Sequence, residues 1–435
     1  MKPNILFIFS DQQHGRALGR VDPFFQTPAI DAFARDAVRF SATFCTTPQC
    51  SPSRSTLMTG LYPSKTGVLN NIGAVGGEPL RMPTLAPAMQ QSGYATAYYG
   101  KWHLGNDPAA AVGWNDRQPL DDKLDDAKVT ANTDAWLRRC ARQPDRPFFA
   151  MASYNDPHDV YHFQRRPPRP EDADVPLPPC WHGEDLAAKP TAQLRFMTHD
   201  QGVVIHDEPE AAWRGYRAAY RDKVAAFDSH VARLLATLEE TGLDENTVVV
   251  VTSDHGDMDA HHRLIFKGPF MYEQMVHVPL MIRLPRPQRT AGGRDVSELI
   301  TNADMCPTLL DFAGVDPPAC DGESLKPCVT DHGPPPQREF VVGQYHGKQQ
   351  WCEPIRMIRT HRHKLNVYAA GDVELYDLHE DPHELRNRAS DPASDAIRRE
   401  LDARLQQWMA DNDDPFPTLC PHRPRPAGTG AANNP

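Results

Sequence analysis

The chain has 435 residues, 40% of them hydrophobic, enough to bury a large core and form one big domain with a smaller one beside it. A formal charge of -11 excludes a surface that tracks nucleic-acid phosphates, so an anionic ligand must be drawn by a local cluster rather than by the whole field. Nine scattered cysteines with no C-x-x-C pair exclude a disulfide framework and a structural zinc site, and the apolar run after Pro3 is too short for a signal-peptide core or a membrane span, so a cytoplasmic protein without a membrane partner is expected.

Residues 4–10, NILFIFS, read as a buried parallel strand that delivers Asp11 and Gln12 at its carboxyl end, where open α/β sheets place their ligands. Thr27 and Pro28 form a cap and first-turn pair, with Ile30, Phe33, Ala34 and Val38 following at helical spacing. A helix is predicted over 83–91, stopped at Gly93, then a strand over 94–99 that runs into G-K-W-H-L-G at 100–105. The pattern is helical over 121–142, and a second buried strand over 148–153 leads to Asn155, Asp156, Pro157 and His158. Residues 165–208 are rich in Pro and charge without periodicity, and are expected to run over the surface near a site mouth.

The longest predicted helix covers 211–241, with Tyr216, Tyr220, Val224, Phe227, Val231, Leu234, Leu235 and Leu238 in one stripe and Gly242 as terminator. Residues 247–252 repeat the logic of the first strand and end in Ser253, Asp254, His255 and Gly256. A strand over 278–284 and a helix over 304–314 complete the main body. Pro334 to Pro336 mark a boundary, which divides the chain into a catalytic domain at 1–333 and a C-terminal subdomain at 334–412. In the latter, 340–344, 355–360, 364–368 and 374–378 read as an antiparallel meander and 395–410 as a helix. Residues 413–435 form an irregular Pro-rich arm that could pack on a neighbour in a homo-oligomer.

Two strand tips each offer a carboxylate and a neutral ligand, Asp11 with Gln12 and Asp254 with His255. Either pair alone reads as a strand cap; brought together they make a divalent-cation site. Cys50 opens a helix-compatible run in which Arg54, one turn on, sets a permanent positive charge beside the sulfur, and the helix N-terminus adds a dipole that favours an anion. Lys101 and His103, two apart, project from one face if extended; an ammonium there can hold an ester oxygen and an imidazole can move a proton.

The run from Cys50 to Pro63, C-x-P-S-R-x-x-L-x-T-G-x-Y-P, resembles the signature of the type I, formylglycine-dependent sulfatases of the alkaline-phosphatase superfamily. G-K-W-H-L-G at 100–105, D-P-H at 156–158 and F-K-G-P-F-M-Y-E at 266–273 match the same family in order, and with V-P-L, E-L-Y-D-L and D-P-x-E further on the resemblance spans residue 4 to about 387. It implies an α/β fold, a large, mostly parallel sheet sandwiched by helices with a smaller C-terminal α+β domain. The implied activity is hydrolysis of a sulfate monoester, of a small molecule or a saccharide. A formylglycine made from Cys50 by a maturation enzyme would supply one hydroxyl that attacks sulfur and a second that expels sulfate. Asp11, Gln12, Cys50, Asp254 and His255 would hold the metal, calcium first, with manganese or magnesium as competitors.

By the same resemblance Arg54, Lys101 and Lys267 would offset the sulfate charge, His158 would protonate the leaving oxygen and His103 would act as base. Asp-Gln and Asp-His at the two tips resemble the subgroup holding choline sulfatases, phosphonate monoester hydrolases and many bacterial sulfatases of unassigned substrate; because phosphorus and sulfur oxyanions are similar in shape, a phosphonate monoester or phosphodiester hydrolase built on the same residues is the rival activity. A silent binding protein is the reading from another class, which the retained Lys101, His103, His158 and Lys267 oppose. His162, His261 and His262 read as structural or rim residues. His346, Lys348, Trp351 and Arg356 are candidates for a leaving-group pocket lined by 165–208 and the C-terminal subdomain.

Overall fold

The computed structural model describes residues 2–419 apart from 75, 106–110, 118–124, 168, 184–185, 290 and 349–350. The predicted helix start at 121–124, and the end of the arm beyond 419 with Cys420, lie outside the described residues. Ten strands precede the C-terminal part: β1 (Asn4–Asp11), β2 (Val38–Phe40), β3 (Thr43–Phe44), β4 (Ala95–Gly100), β5 (Asp116–Arg117), β6 (Phe148–Pro157), β7 (Thr247–Ser253), β8 (Leu280–Arg283), β9 (Arg294–Val296) and β10 (Ile300–Thr301). Eight of them make one sheet in the order β5-β4-β6-β1-β7-β8-β2-β9, and β3 pairs with β10. Within the large sheet β8 alone is antiparallel to its neighbours.

All eight residues of β1 are buried, as an apolar strand at the middle of a doubly covered sheet must be. Ile5, Phe7 and Phe9 face the helices Cys50–Thr59, Leu85–Gln91 and Met305–Phe312, meeting Leu57, Met58, Met89 and Leu310. Leu6 and Ile8 face the helices Asp126–Cys140 and Glu210–Thr241 through Trp136, Leu137, Phe227 and Val231. At roughly 1.5–3 kcal/mol for each fully buried large side chain, this sandwich dominates the stability of the main body.

Three local expectations are corrected. The helix at Pro28 stops at Phe33, passes through a 3-10 turn, and leaves Val38 in β2, where it pairs with Ile282 and Arg294. Thr27 does not cap that helix: its hydroxyl accepts from the Gly19 amide and donates to Asp31, while Asp228 of the long helix accepts from the Ala29 and Ile30 amides at 3.1 and 2.8 Å. The 165–208 segment is not merely a surface run. It contains the helix Thr191–His199, whose Ala192, Gln193, Phe196 and Met197 are buried, because Gln193 reaches Tyr368 and Glu374 of the C-terminal sheet.

That sheet consists of β11 (Val341–Lys348), β12 (Trp351–Arg359), β13 (His363–Tyr368) and β14 (Val373–Asp377), antiparallel in sequence order. The helix Asp395–Asp411 covers one face of it with Leu401, Leu405 and Met409. β11 is fastened to the main body beside Cys50: the Gln344 amide donates to the Thr46 carbonyl at 2.7 Å, and the Gln49 side chain donates to the Gly347 carbonyl at 2.6 Å. Among the described residues no helix is long and apolar enough to cross a membrane.

Candidate active site

Cys50 is the first residue of a ten-residue helix in which every side chain is buried. Pro52 fits there because the first turn has no intrahelical partner for its missing N–H. Gly60 ends the helix at φ +74, where a Cβ would lie 2.9 Å from that of Cys320. The polar side chains of so buried a helix need partners inside the protein. Ser53 donates to the Asp254 carbonyl and accepts from Asn302 at 2.8 Å, while Thr56 bonds Thr46 at 2.9 Å. The helix start is thus held directly against the tip of β7.

Neighbouring parallel strands β1 and β7 put Asp11 and Asp254 side by side, and Arg54 locks both: Nη2 to Asp11 at 2.9 Å, Nε to Asp254 at 2.8 Å. Its remaining nitrogen donates to the Lys101 carbonyl at 2.6 Å and Ser153 at 2.7 Å. His255 gives its Nδ1–H to the Gly256 carbonyl at 2.9 Å. Its Nε2 therefore faces Cys50 Sγ at 3.3 Å, Asp11 Oδ1 at 3.6 Å and Asp254 Oδ1 at 3.7 Å. Ligand atoms of Asp11, Cys50, Asp254 and His255 all lie within 4.8 Å of one another, and all four residues are buried. Electron-pair donors converging in this way, with the imidazole oriented by a backbone carbonyl, fit a divalent cation. Gln12, at φ +79, adjoins them with its amide nitrogen on Asp257 at 2.6 Å and its oxygen on Lys267.

Gly100 ends β4 so close to β6 that a Cβ would stand 1.9 Å from the Ser153 carbonyl, and this approach aims the next residue inward. Lys101 Nζ lies 2.7 Å from Asp11 Oδ2 and 3.8 Å from Cys50 Sγ. His103 also neighbours Cys50, but from a left-handed backbone at φ +54, so the extended geometry expected for 101–103 is replaced by a turn. His158 follows β6, neighbours Cys50, and stacks on Tyr161 at 4.7 Å, which in turn stacks on Phe266 at 3.9 Å. Lys267 Nζ sits 5.3 Å from the centre of the Tyr161 ring. The structure thus gathers Cys50, Arg54, Lys101, His103, His158 and Lys267 around the same cluster.

The electrostatics reflect crowding. Burial pushes the Cys50 thiol up, but Lys101, Lys267 and His255 outweigh it and hold the thiol well below its ordinary value. Burial also raises Asp11, as does Cys50, against Lys101, His158 and Arg54, and the cations prevail; Asp254 is raised by burial and by Asp11. Burial, with Lys101 and Lys267, depresses His158 to about 3.

Of the other residues singled out, His262 is buried and stacked on Tyr272 at 4.0 Å, and His261 is buried beside Asp259. Arg356 is clamped by Asp414 and serves the C-terminal sheet rather than a pocket. Sequence reasoning missed Asp257, which holds Gln12 and accepts from Tyr216 at 2.6 Å; its signal was its place three residues after Asp254. It also missed Ser153 and Tyr161, for which the only hints were the end of a strand and an offset of one turn from His158.

A ligand cluster of this kind at the carboxyl ends of parallel strands, with Cys50 on a helix start beside it, defines a hydrolase of alkaline-phosphatase-like fold. The family model Sulfatase matches residues 3–315, and a second, N-sulphoglucosamine sulphohydrolase, C-terminal, matches 261–411. A Delta 4,5-hexuronate-2-O-sulfatase of Bacteroides thetaiotaomicron is 29% identical over 96% of this chain and 91% of its own. A choline-sulfatase of Rhizobium meliloti is 30% identical over 94% and 87%. Among solved structures, a 2-O GAG sulfatase superposes with a TM-score of 0.85 at 28% identity, covering 98% of this chain and 97% of that one. A phosphonate monoester hydrolase of Agrobacterium radiobacter gives 0.78 at 25% identity, covering 94% and 96%. The chain belongs to the sulfatase family, and it is a sulfuric ester hydrolase.

Proposed function

We propose that the protein removes sulfate from a saccharide monoester, using a formylglycine made from Cys50 and a divalent cation, calcium first, held by Asp11, Gln12, Asp254 and His255 next to residue 50. The observation that carries this reading is the gathering of Asp11, Asp254 and His255, with Lys101, Lys267, His103 and His158, around the Cys50 side chain. When present, the modified residue supplies an oxygen nucleophile, and the cation supplies positive charge for the sulfate oxygens.

The chain's own residues do the rest. Arg54 pairs with Asp11 and Asp254 and fixes both in place, opposing the burial that raises Asp254, while Lys101 and Lys267 bring positive charge to where a sulfate would bind. Burial, and after it the same two ammoniums, depress His158; a sulfate anion between the lysines would offset their share of the depression and favour the proton that a poor alcohol leaving group needs. His103, beside residue 50, is placed to take a proton there. An unmodified thiol lacks the second oxygen function, so a maturation enzyme is an implied partner. The saccharide class is supported by the hexuronate-2-O-sulfatase relative and by an N-acetylglucosamine-6-O-sulfatase of the same organism at 26% identity.

The second reading, phosphonate or phosphodiester hydrolysis, has the Agrobacterium neighbour in its favour. Hydrolysis of aryl sulfate, aryl phosphonate and aryl phosphodiester separates the two. The protein must be shown by mass to carry formylglycine at 50, with Cys50→Ala as control. A sulfate preference of about tenfold in kcat/KM, about 1.4 kcal/mol, is expected; a preference for the phosphorus esters overturns it.

A further inference from the structure

A groove of about 640 Å³ lies between the helix Thr191–His199 and the start of β12, lined by Leu194, Arg195, Thr198, Asp200 and Trp351. Its chemistry is specific. The Arg195 guanidinium lies over the Trp351 indole at 4.6 Å, and the indole N–H is fixed by Asp200 at 3.0 Å. Arg195 is exposed, and among the described residues no carboxylate stands within ion-pair distance of it; Glu353 feels its charge without pairing with it. A planar guanidinium held flat on an aromatic ring with its fork unpaired is a ready receptor for a carboxylate or sulfate.

The groove adjoins the reaction centre through one residue. Lys348 pairs with Trp351 across β11 and β12, and its buried ammonium reaches inward to the Lys267 carbonyl and to the Tyr161 hydroxyl at 3.4 Å. The same nitrogen lies 4.8 Å from the centre of the Phe196 ring, on the helix that carries Arg195; burial and Lys267 hold it well below its ordinary value, against Asp200 and Cys50. Lys348 thus joins Tyr161 and Lys267, beside Cys50, to the wall of the groove that Trp351 and Arg195 line.

We infer that this groove is a subsite for the ring adjacent to the sulfated sugar, and that it selects a ring bearing an anion, a uronate above all, through Arg195. The inference rests on the saccharide reading above and deepens it. Asp200 has lone pairs beyond the one engaged by the indole and can accept from ring hydroxyls, which confines the anion to the Arg195 side of the groove.

The test takes formylglycine-bearing enzyme and any sulfated monosaccharide it cleaves, then the same sugar extended by a glucuronate or by a neutral glucose, with an aryl sulfate as activity control. The wild type is expected to favour the glucuronate-extended substrate over the bare one by at least about tenfold in kcat/KM, mostly through KM, and over the glucose-extended one by a similar factor. Arg195→Gln should bring the extended-to-bare ratio to about 1, and Arg195→Lys should restore only part of it. A ratio that survives Arg195→Gln, or equal gains from glucose and glucuronate, overturns the inference while leaving saccharide hydrolysis standing. Cleavage of the aryl sulfate with no sulfated sugar accepted overturns the saccharide reading and the inference together.

Discussion

Two buried arginines invite comparison. Arg54 and Arg356 are 0% and 1% exposed, each lies 4.9 Å from the centre of a phenylalanine ring, Phe9 or Phe416, and each spends its guanidinium on carboxylates and carbonyl oxygens. Their carboxylates differ. Asp414 grips Arg356 at 2.8 and 2.6 Å and fills its remaining capacity with Gln344 and the Phe416 amide, a closed set of one cation to one anion. Asp11 and Asp254 grip Arg54, and Asp254 Oδ1 accepts the Gln12 and His255 amides at 3.1 and 2.8 Å, but that oxygen and Asp11 Oδ1 also stand 3.7 and 3.6 Å from His255 Nε2, and Asp11 Oδ1 is 3.5 Å from Cys50. Burial and ion pairing are common to both sites; what marks the functional one is donor capacity left over and aimed at one point.

Removing the atom at that point should have the largest effect. Cys50→Ala is expected to lower kcat for aryl sulfate by at least about 10,000-fold, as loss of a nucleophile does. Its melting temperature should stay within a few degrees of the wild type, since Sγ makes only long contacts of 3.3–3.8 Å. Arg356→Met is the converse case. It strands Asp414 in the interior and should cost about 3–5 kcal/mol in denaturant unfolding, with kcat per folded molecule held within twofold. A loss of activity without loss of stability in Arg356→Met would erase the distinction between the two arginines.

The distinction is only half legible in the sequence. The strand tips, the helix at Cys50 and the lysines and histidines around it could be read from short motifs because each sits at the end of an apolar run, where periodicity and chemistry coincide. The closure of Asp414 on Arg356 could not, since the partners are 58 residues apart with a meander between. The same holds for Asp228, which caps a helix some 200 residues earlier and leaves Thr27 free for another role. Residues 165–208 looked irregular because their apolar residues face a sheet formed later in the chain, and His103 looked extended because nothing local announces its left-handed backbone. Motifs reported which residues gather around Cys50; tertiary pairing decided which charges are spare.

Chelation measures the spare capacity directly. Treating formylglycine-bearing enzyme with a strong chelator should reduce kcat/KM by about 100-fold or more and lower the melting temperature, because a cation bound only to the folded state stabilises it. Calcium should restore both, with manganese and magnesium as the competing arms. Full activity in chelator would mean that His255 and the two carboxylates form a closed structural set after all, like Arg356 with Asp414.

The smallest effect expected lies at Asp156, which tests whether spare charge alone is enough to mark a functional site. Asp126, Asp156 and Asp159 crowd one half-exposed ammonium, Lys223, which lies 3.1 Å from Asp156. Burial raises the Asp156 carboxyl to about 7, Lys223 opposes, and the neighbouring acids raise it further. A carboxyl whose folded pKa exceeds its unfolded value is held protonated by the folded state, so it penalises folding as pH rises from the unfolded value towards 7 and exacts the full penalty above that. Asp156→Asn removes the penalty: its stability gain over the wild type should be near zero at pH 4 and grow to about 1–3 kcal/mol by pH 8, the range reflecting the solvent reach of Lys223. Activity on aryl sulfate should change less than threefold, because none of these carboxylates faces Cys50 or the Asp11–Asp254 pair. A gain that shrinks with pH would contradict the raised carboxyl, and a large loss of kcat at unchanged stability would make Asp156 part of the chemistry next door at His158.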